Sequence, residues 1–387
     1  PPRGGGCGLA LAVQVIEQDV RDAIERAIGP RARCLGGEAQ HGGAVYRSTG
    51  RERIRVESAA MRTRRLGRSG LSVSVVSLGS WLTFGESVDA DATREVVQTA
   101  FNLGVKIFDT GDVGANGDAA RGVGKAIGPL PRHQLVLASK CFFPMSEHAN
   151  DRGLSRKHVL ESIEASLRRL DTDHLDLHQC HRFDPETPLE ETVRAYEDAI
   201  RQGKVLYWGT SLWTGEQIAR ACEIADATGG FRPISNQPVY SILRRGIENE
   251  VLPRCRELGV GQVVFSPLGQ GVLTGKYSGG ARPAGSRATD ERLGRFMKRY
   301  LHDSTLARVD RLAPLAAELG IRMSQLALAW CLRDPQIASV IVGVTRAEQL
   351  AENCAAAERE LPEDVARAID ALFAPGSESL PPDEVTP

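Results

Sequence analysis

The architecture follows from residues 155–211, SRKHVLESIEASLRRLDTDHLDLHQCHRFDPETPLEETVRAYEDAIRQGKVLYWGTS. In SRKHVLESIEASLRRL the apolar residues recur at the spacing of one helix face, and Ser155 is a residue type that caps helices. HLDLHQ then predicts a strand, PLEETVRAYEDAIRQ a helix that ends before Gly203, and VLYWGTS another strand. Strands that alternate with helices in this way run parallel, because each helix returns the chain to the starting edge of the sheet.

The same alternation extends in both directions and predicts eight strand-then-helix units between about residue 71 and residue 358. The predicted strands are LSVSVVSLG (71–79), VKIFD (105–109), QLVLASK (134–140), HLDLHQ (174–179), VLYWGTS (205–211), PISNQ (233–237), VGQVVFSP (260–267) and SVIVG (339–343). Eight such units fit a closed barrel better than an open doubly wound sheet, and no GxGxxG follows the first strand. The sequence therefore predicts the α/β class with a (β/α)8 TIM barrel.

The composition excludes several classes of protein. Hydrophobic residues make up 42% of the 387 residues and charged residues 25%, which is ordinary for a globular protein. A net charge of -1 argues against a nucleic-acid partner, and no apolar run is long enough to predict membrane insertion. The eight cysteines are scattered without a CxxC pair, which favours free thiols in a reducing cytoplasm and gives no support for a metal site.

Residues 1–60 differ from the rest of the chain. They are rich in arginine and glycine, contain no lysine, and hold one helical pattern in LALAVQVIEQDVRDAIERAI. This segment is either a docking or dimerising helix or a weakly anchored extension. We predict an extension over residues 1–60, a barrel over residues 61–375 and a short tail over residues 376–387.

Ionisable residues follow the second, third and fourth predicted strands. They are Asp109, Lys140 and His181, and a barrel brings the carboxyl ends of its strands to one face. Individually, Asp109 and Lys140 could form a structural ion pair, and His181 could be a core histidine. Their placement at three successive strand ends favours one pocket in which each group shifts the pKa of the others.

From Met61 to about Phe373 the chain resembles the aldo-keto reductase family, in the branch of the potassium-channel β subunits and their bacterial relatives. The resemblance lies in RRLGRSGLSVSVVSLGSW, FDTGD, LVLASK, RGLSRKHVLESIEASLRRLDTDHLDLHQCHRFDPETPLEETVRA, GKVLYWGTSLW, FSPLGQGVLTGKY and IVGVTRAEQLAEN. It implies reduction of small-molecule aldehydes or ketones by hydride from NADPH. Relatives in this branch often form tetramers, so the resemblance also implies a homo-oligomer.

The family uses a tyrosine as proton donor, beside an aspartate, a lysine and a histidine. The resemblance gives the last three roles to Asp109, Lys140 and His181. The tyrosine should follow the aspartate by five residues, and Gly114 stands there. We expect Gly114 to leave space in the substrate pocket, which Trp81 at the first strand end also lines.

Three interpretations of the missing tyrosine stay open. A neighbouring group, such as His181, Asp112 or a water molecule, protonates the product. Alternatively a tyrosine from elsewhere reaches the site, with Tyr240 the nearest candidate along the fold and Tyr46 a remote one. In the third interpretation the protein binds NADP(H) without turnover and acts as a sensor or regulatory subunit. Retention of the aspartate, lysine and histidine favours an enzyme.

The cofactor residues are assigned by the resemblance. The expected set is Ser211, Asn236, Gln237 and Phe265 at the nicotinamide, Ser266, Pro267, Leu268, Gly269, Gln270, Lys276 and Arg287 around the pyrophosphate, and Gly343, Thr345, Arg346, Gln349, Glu352 and Asn353 at the adenosine. Leu212 departs from the arginine that often follows the serine in this branch. Arg346, at the start of the last barrel helix, favours a 2′-phosphate and so NADP over NAD. The alternative is that Lys276, Gln349 and Glu352 are ordinary surface residues.

Overall fold

The computed structural model describes residues 61–81, 88–290 and 293–374. The described residues fall into two compact units, 61–361 and 362–374, and each is considered by itself. The first carries the whole barrel.

Two expected segments lie outside the described residues: the extension over residues 1–60, with its helical pattern, and the tail over residues 376–387. The domain boundaries proposed from the sequence therefore stay predictions.

Eight parallel strands close into a barrel, in the order β10-β3-β4-β5-β6-β7-β8-β9. The strands of the described residues are β1 Thr63–Arg65, β2 Ser72–Ser74, β3 Val76–Gly79, β4 Ile107–Asp109, β5 Val136–Cys141, β6 Leu175–Cys180, β7 Val205–Ser211, β8 Ser235–Gln237, β9 Gly261–Val264 and β10 Ile337–Val342. The predicted (β/α)8 barrel is confirmed, and each predicted barrel strand overlaps an observed one.

Helices connect the barrel strands. Within the described residues they are α1 Ala90–Asn102, α2 Asp118–Ile127, α3 Arg156–Leu170, α4 Leu189–Arg201, α5 Gly215–Ala227, α6 Val251–Leu258, α7 Asp303–Asp310, α8 Leu312–Glu318, α9 Met323–Leu332, α10 Ala347–Cys354 and, in the second unit, α11 Glu363–Leu372. Two helices begin at capping residues that are recognisable in the sequence. The Ser155 side chain accepts a hydrogen bond from the His158 amide, and Thr214 and Gln217 form a capping box at the start of α5.

A hairpin of β1 and β2 covers the N-terminal end of the barrel. Leu66 and Val73 of this hairpin are fully buried and join a cluster that includes Ile107 and Val136, the first residues of β4 and β5. At Gly67, whose φ is +59°, a Cβ atom would lie only 2.2 Å from the Gly259 carbonyl oxygen. Only glycine permits this approach, so the hairpin packs directly on the turn before β9.

The sequence predicted one strand over residues 71–79, and the structure divides it between two sheets. β2 pairs with β1 in the hairpin, whereas β3 belongs to the barrel. The Ser74 hydroxyl donates to the Val76 carbonyl (2.7 Å) and accepts from the Lys106 amide (2.8 Å). The first of these hydrogen bonds turns the chain between the two strands, and the second ties the turn to the residue before β4.

The described part of the chain contains six cysteines, each a free thiol buried in the barrel or its helices. They are Cys141, Cys180, Cys222, Cys255, Cys331 and Cys354. Burial raises the pKa of each thiol. None of the described helices combines the length and apolar character needed to cross a membrane.

Candidate active site

A cavity of about 780 Å³ opens at the C-terminal ends of the barrel strands. This is the face on which barrels of this type carry their binding loops. Nearly all of the residues expected at the site line this cavity. They are Trp81, Asp109, Gly114, Lys140, His181, Ser211, Gln237, Phe265, Ser266, Pro267, Leu268, Gln270, Lys276, Arg287, Gly343, Thr345, Arg346, Gln349, Glu352 and Asn353.

Asp109 and Lys140 form a buried ion pair at the ends of β4 and β5. The Lys140 ammonium donates to Asp109 Oδ2 (2.7 Å) and to the Thr110 carbonyl oxygen (2.7 Å). Asp109 Oδ1 accepts from Gln237 Nε2 at 3.1 Å, so both carboxylate oxygens have partners. Because parallel strands place Asp109 beside Ala138, two residues before Lys140, the pair follows directly from the barrel register.

His181 lies next to the ion pair, just beyond the end of β6. Its ring packs edge-on against Phe143, with the ring centroids 4.9 Å apart. Burial, together with the positive charges of Lys140 and Arg182, holds the pKa of His181 well below its usual range. The imidazole is therefore neutral near pH 7 and offers a hydrogen bond rather than a positive charge.

Gly114 contributes only backbone atoms to the cavity wall. A Cβ atom built on it would lie 3.3 Å from the Ala119 Cβ and 3.9 Å from the Trp81 Cα. Its φ is not left-handed, although the next two residues, Ala115 and Asn116, have φ values of 47° and 51°. Trp81 itself lines the cavity and meets Phe296 edge-on at 5.5 Å.

None of the described residues that line the cavity is a tyrosine. Tyr240, a candidate from the sequence, is buried elsewhere: its hydroxyl donates to Glu248 Oε1 (2.7 Å), and its ring stacks on Trp330. Tyr46 falls outside the described residues. Within the described structure, no tyrosine side chain replaces the one missing at Gly114.

Asp112 is buried behind the cavity rather than on its wall. Among the described residues, no group makes a hydrogen bond of normal geometry to either carboxylate oxygen. Burial raises the pKa of this carboxyl group to about 7, against the opposing effects of the nearby Val113 backbone N–H and of the positive charges of Arg169 and Lys140. Asp112 is therefore not positioned to donate a proton directly to a molecule in the cavity.

The strands β7 and β8 supply the polar groups of the expected nicotinamide end. Ser211 Oγ donates to the Gln237 carbonyl oxygen (2.8 Å), which ties the two strand ends together. Asn236 is not brought to the cavity with them. Its side chain bonds to Thr210 Oγ1 (2.9 Å) and Gln262 Oε1 (3.4 Å), because alternate residues of a strand face opposite sides.

The loop after β9 forms a second part of the wall. Gln270 Nε2 donates to Ser266 Oγ at 2.8 Å, and Arg287 Nη1 donates to Gln270 Oε1. Gly269 lies in the same loop, but its atoms do not line the cavity. A Cβ at Gly271, whose φ is +98°, would lie 3.1 Å from the Lys276 Nζ, so the glycine keeps the space beside that ammonium open.

The loop after β10 and the start of α10 complete the cavity. The amide and hydroxyl of Thr345 both donate to Gln349 Oε1, at 3.0 and 3.3 Å. Glu352 Oε1 accepts from Ser324 Oγ of α9 at 2.6 Å, so Glu352 is fixed in position rather than free in solvent. Within the described part of the chain, the exposed Arg346 guanidinium has neither an ion pair nor a hydrogen bond.

Comparison with known proteins adds to this geometry. Residues 75–374 match the model of the aldo/keto reductase family. The chain belongs to this family. It is 44% identical over 301 residues to a protein of Arabidopsis thaliana named "Probable voltage-gated potassium channel subunit beta", with 77% of this chain and 92% of that one covered. A protein of the same name from Oryza sativa subsp. japonica is 43% identical over 296 residues, covering 76% of this chain and 90% of the relative.

Aldo/keto reductases typically bind a nicotinamide cofactor, and the cavity wall offers groups that fit one. Lys276, Arg287 and Arg346 provide three cationic side chains on the side formed by β9 and β10. Phe265 at the end of β9 adds an aromatic ring, and Arg346 stands at a helix start. Cationic groups and a helix start suit a phosphorylated ligand.

Sequence reasoning missed Phe143, Arg182 and Ser324. Arg182 Nη1 donates to the His181 carbonyl oxygen (2.6 Å), and its guanidinium lies 5.1 Å from the centre of the Phe143 ring. Both residues lie close in sequence to predicted site residues, since Arg182 follows His181 and Phe143 is three residues after Lys140. Ser324 lies on α9, which no amphipathic pattern revealed.

Proposed function

We propose that this protein reduces the carbonyl group of small-molecule aldehydes or ketones with NADPH. The observation that carries the proposal is the Asp109–Lys140 ion pair, with His181 beside it, on the wall of the large cavity. A bound reduced nicotinamide supplies the hydride. The neutral His181 ring orients the carbonyl oxygen through a hydrogen bond, and the Lys140 ammonium stabilises the negative charge that develops there. Asp109 holds the Lys140 ammonium in place through a hydrogen bond of 2.7 Å.

The decisive test is NADPH oxidation by the purified protein with a panel of aldehydes, ketones and quinones. The same preparation carrying Lys140→Met is the blank for contaminating reductases. We expect turnover in the unmodified protein that exceeds this blank for at least one carbonyl class. Equal rates in both preparations across the whole panel would remove the enzymatic proposal.

Arg346 is the group we propose for the 2′-phosphate of NADPH. Charge-assisted hydrogen bonds of this kind contribute about 1.5–3 kcal/mol, so Arg346→Ala should weaken NADPH binding about tenfold or more and NADH binding far less. Fluorescence titration of each nucleotide measures both constants. Arg359→Ala, at an exposed arginine outside the cavity, is the matched control. Equal losses for the two nucleotides in Arg346→Ala would contradict the role.

A second candidate is an NADP(H)-binding regulatory subunit with little or no turnover. It is favoured by the absence of tyrosine from the described cavity wall and by the channel-subunit names of the relatives. Nucleotide binding without turnover in the panel above would support it. In either case we propose a cytoplasmic protein that forms homo-oligomers, in keeping with the buried free thiols.

A further inference from the structure

The reduction proposed above requires a proton for the carbonyl oxygen, and the described cavity wall has no tyrosine to supply it. The inference that follows rests on that proposed function. It concerns which group of this chain gives up the proton.

Three of the hydroxyl groups on the wall already donate to backbone carbonyls. Thr110 Oγ1 donates to the Ala138 carbonyl (2.8 Å), Ser211 Oγ to the Gln237 carbonyl (2.8 Å), and Thr274 Oγ1 to the Gly271 carbonyl (2.7 Å). Their hydrogens are therefore committed to backbone acceptors. Aliphatic hydroxyls are also acids about as weak as water, so they do not protonate an alkoxide efficiently.

Two further groups named from the sequence are also unsuited. His181 is neutral, because burial and the nearby charges of Lys140 and Arg182 disfavour its protonated form. The N–H of a neutral imidazole is a far weaker acid than an ammonium group, so it transfers a proton less readily. Asp112 carries a carboxyl group but is absent from the cavity wall.

Lys140 lies on the same wall as His181, and its hydrogen bonds leave one acidic N–H donor available. An ammonium group has three N–H donors, and two of them go to Asp109 Oδ2 and the Thr110 carbonyl oxygen. Among the described residues the third has no acceptor, and Lys140 lines the cavity. Gly111 and Gly114, both on the same wall, place no side chain between Lys140 and the cavity. We propose that Lys140 itself is the proton donor in this protein.

The chemistry is balanced without any further reagent. The carbonyl carbon accepts a hydride, with its electron pair, from the reduced nicotinamide, and the C=O π electrons move to oxygen. An N–H bond of Lys140 breaks and an O–H bond forms, which leaves an alcohol and a neutral amine. That amine still has two N–H groups, one for each of its two acceptors, and it regains its third proton from water. An alkylammonium and a phenol are acids of similar strength, with free pKa values of about 10.4 and about 10, so the exchange is chemically reasonable.

The first experiment is chemical rescue of Lys140→Ala by small amines. Methylammonium carries both the charge and acidic N–H groups, whereas tetramethylammonium carries the charge alone. We expect Lys140→Ala to lose about 10²–10⁴-fold in kcat, methylammonium to recover at least tenfold of it, and tetramethylammonium to recover none. Wild-type protein and Lys157→Ala, at an exposed lysine on α3, control for general effects of the amines. Equal rescue by the two ions, or no rescue by methylammonium in the folded variant, overturns the proposal.

The second experiment covers the case in which Lys140→Ala does not fold. Lys140→Arg keeps a cation beside Asp109, but a guanidinium is a far weaker acid than an alkylammonium and barely gives up a proton. We expect this variant to bind NADPH as wild type does and to lose kcat by about 10²-fold or more. Near-wild-type turnover in Lys140→Arg would show that the charge suffices and would overturn the proposal. If the wild-type protein shows no turnover, both the proposed function and the assignment of Lys140 as proton donor fail. If the wild type turns over but one of the two experiments gives its contrary result, only the assignment of Lys140 fails.

Discussion

Introducing a tyrosine at Gly114 should raise kcat for an aldehyde or ketone by about 10²-fold. The substitution adds a phenol beside Lys140 and His181, on the wall that all three residues share. A positioned general acid contributes about 10²–10⁴-fold to such a step, and we expect the lower end because Lys140 already supplies a proton. Steady-state kinetics with NADPH held at saturation measures the change.

The local backbone permits this substitution. Gly114 does not have a left-handed φ, so a side chain introduces no backbone strain there. The new Cβ atom would lie 3.3 Å from the Ala119 Cβ, a crowded contact that Ala119→Gly relieves in a paired variant. Gly114→Phe is the matched control, because it fills the same space without a hydroxyl. An equal rise in both variants would mean that packing, not proton donation, limits turnover.

Replacement of Asp112 by asparagine should stabilise the protein, and more so at high pH. The carboxyl group is protonated in the unfolded chain only below about its ordinary pKa of 3.8, but in the folded protein below about 7. The folded protein therefore binds this proton more tightly than the unfolded chain does. The resulting contribution to the free energy of unfolding is present at low pH and is lost as the pH rises through about 7. At 1.36 kcal/mol per pKa unit, we expect the gain from Asp112→Asn to be about 2–3 kcal/mol larger at pH 8 than at pH 5.

Urea denaturation of both proteins across this pH range measures the difference. Asp118→Asn is the control, since Asp118 is exposed and pairs with Arg121 at the surface. Surface pairs of this kind contribute about 0–1 kcal/mol, so that variant should show a small and nearly pH-independent change. A constant difference between Asp112→Asn and wild type at all pH values would contradict the raised pKa of Asp112.

Most of the fold could be predicted, because each barrel strand is a short apolar run followed by a helix with its own start and stop signals. The errors came at prolines inside helical patterns. The stretch STLARVDRLAPLAAELG (304–320) has the pattern of one helix, but the structure divides it into two helices at Arg311, with Pro314 in the first turn of α8. Pro253 takes the same place in α6, which begins at Val251. In both cases proline lacks the N–H needed inside a helix but is tolerated in its first turn.

α9 was missed for a different reason. Eight of its ten residues are buried, so it shows no contrast between an apolar and a polar face. A helix that is covered on most sides cannot be recognised by periodicity alone. Because α9 was not predicted, the hydrogen bond from Ser324 on this helix to Glu352 in the site was not predicted either.

The site was predictable where a residue's place depends on strand register alone. Asp109 and Lys140 meet because their strands are neighbours in the barrel. Asn236 does not line the cavity, because neighbouring residues of a strand face opposite sides and Gln237 faces the cavity. The resemblance to a family does not show which of two adjacent residues faces the site. The contacts of Gln270 with Ser266 and Arg287 join a strand end to a residue far along a long loop, which no local pattern encodes.

The six buried thiols give the barrel its own set of probes of local opening. They lie on β5, β6, α5, α6, α9 and α10, and so sample widely separated parts of the structure. A thiol-specific reagent reaches each one only when its segment transiently exposes it, because a protonated and inaccessible thiol does not react. The modification rate at each cysteine therefore reports how often that segment opens, and nucleotide binding should slow opening most in the segments that form the cavity wall.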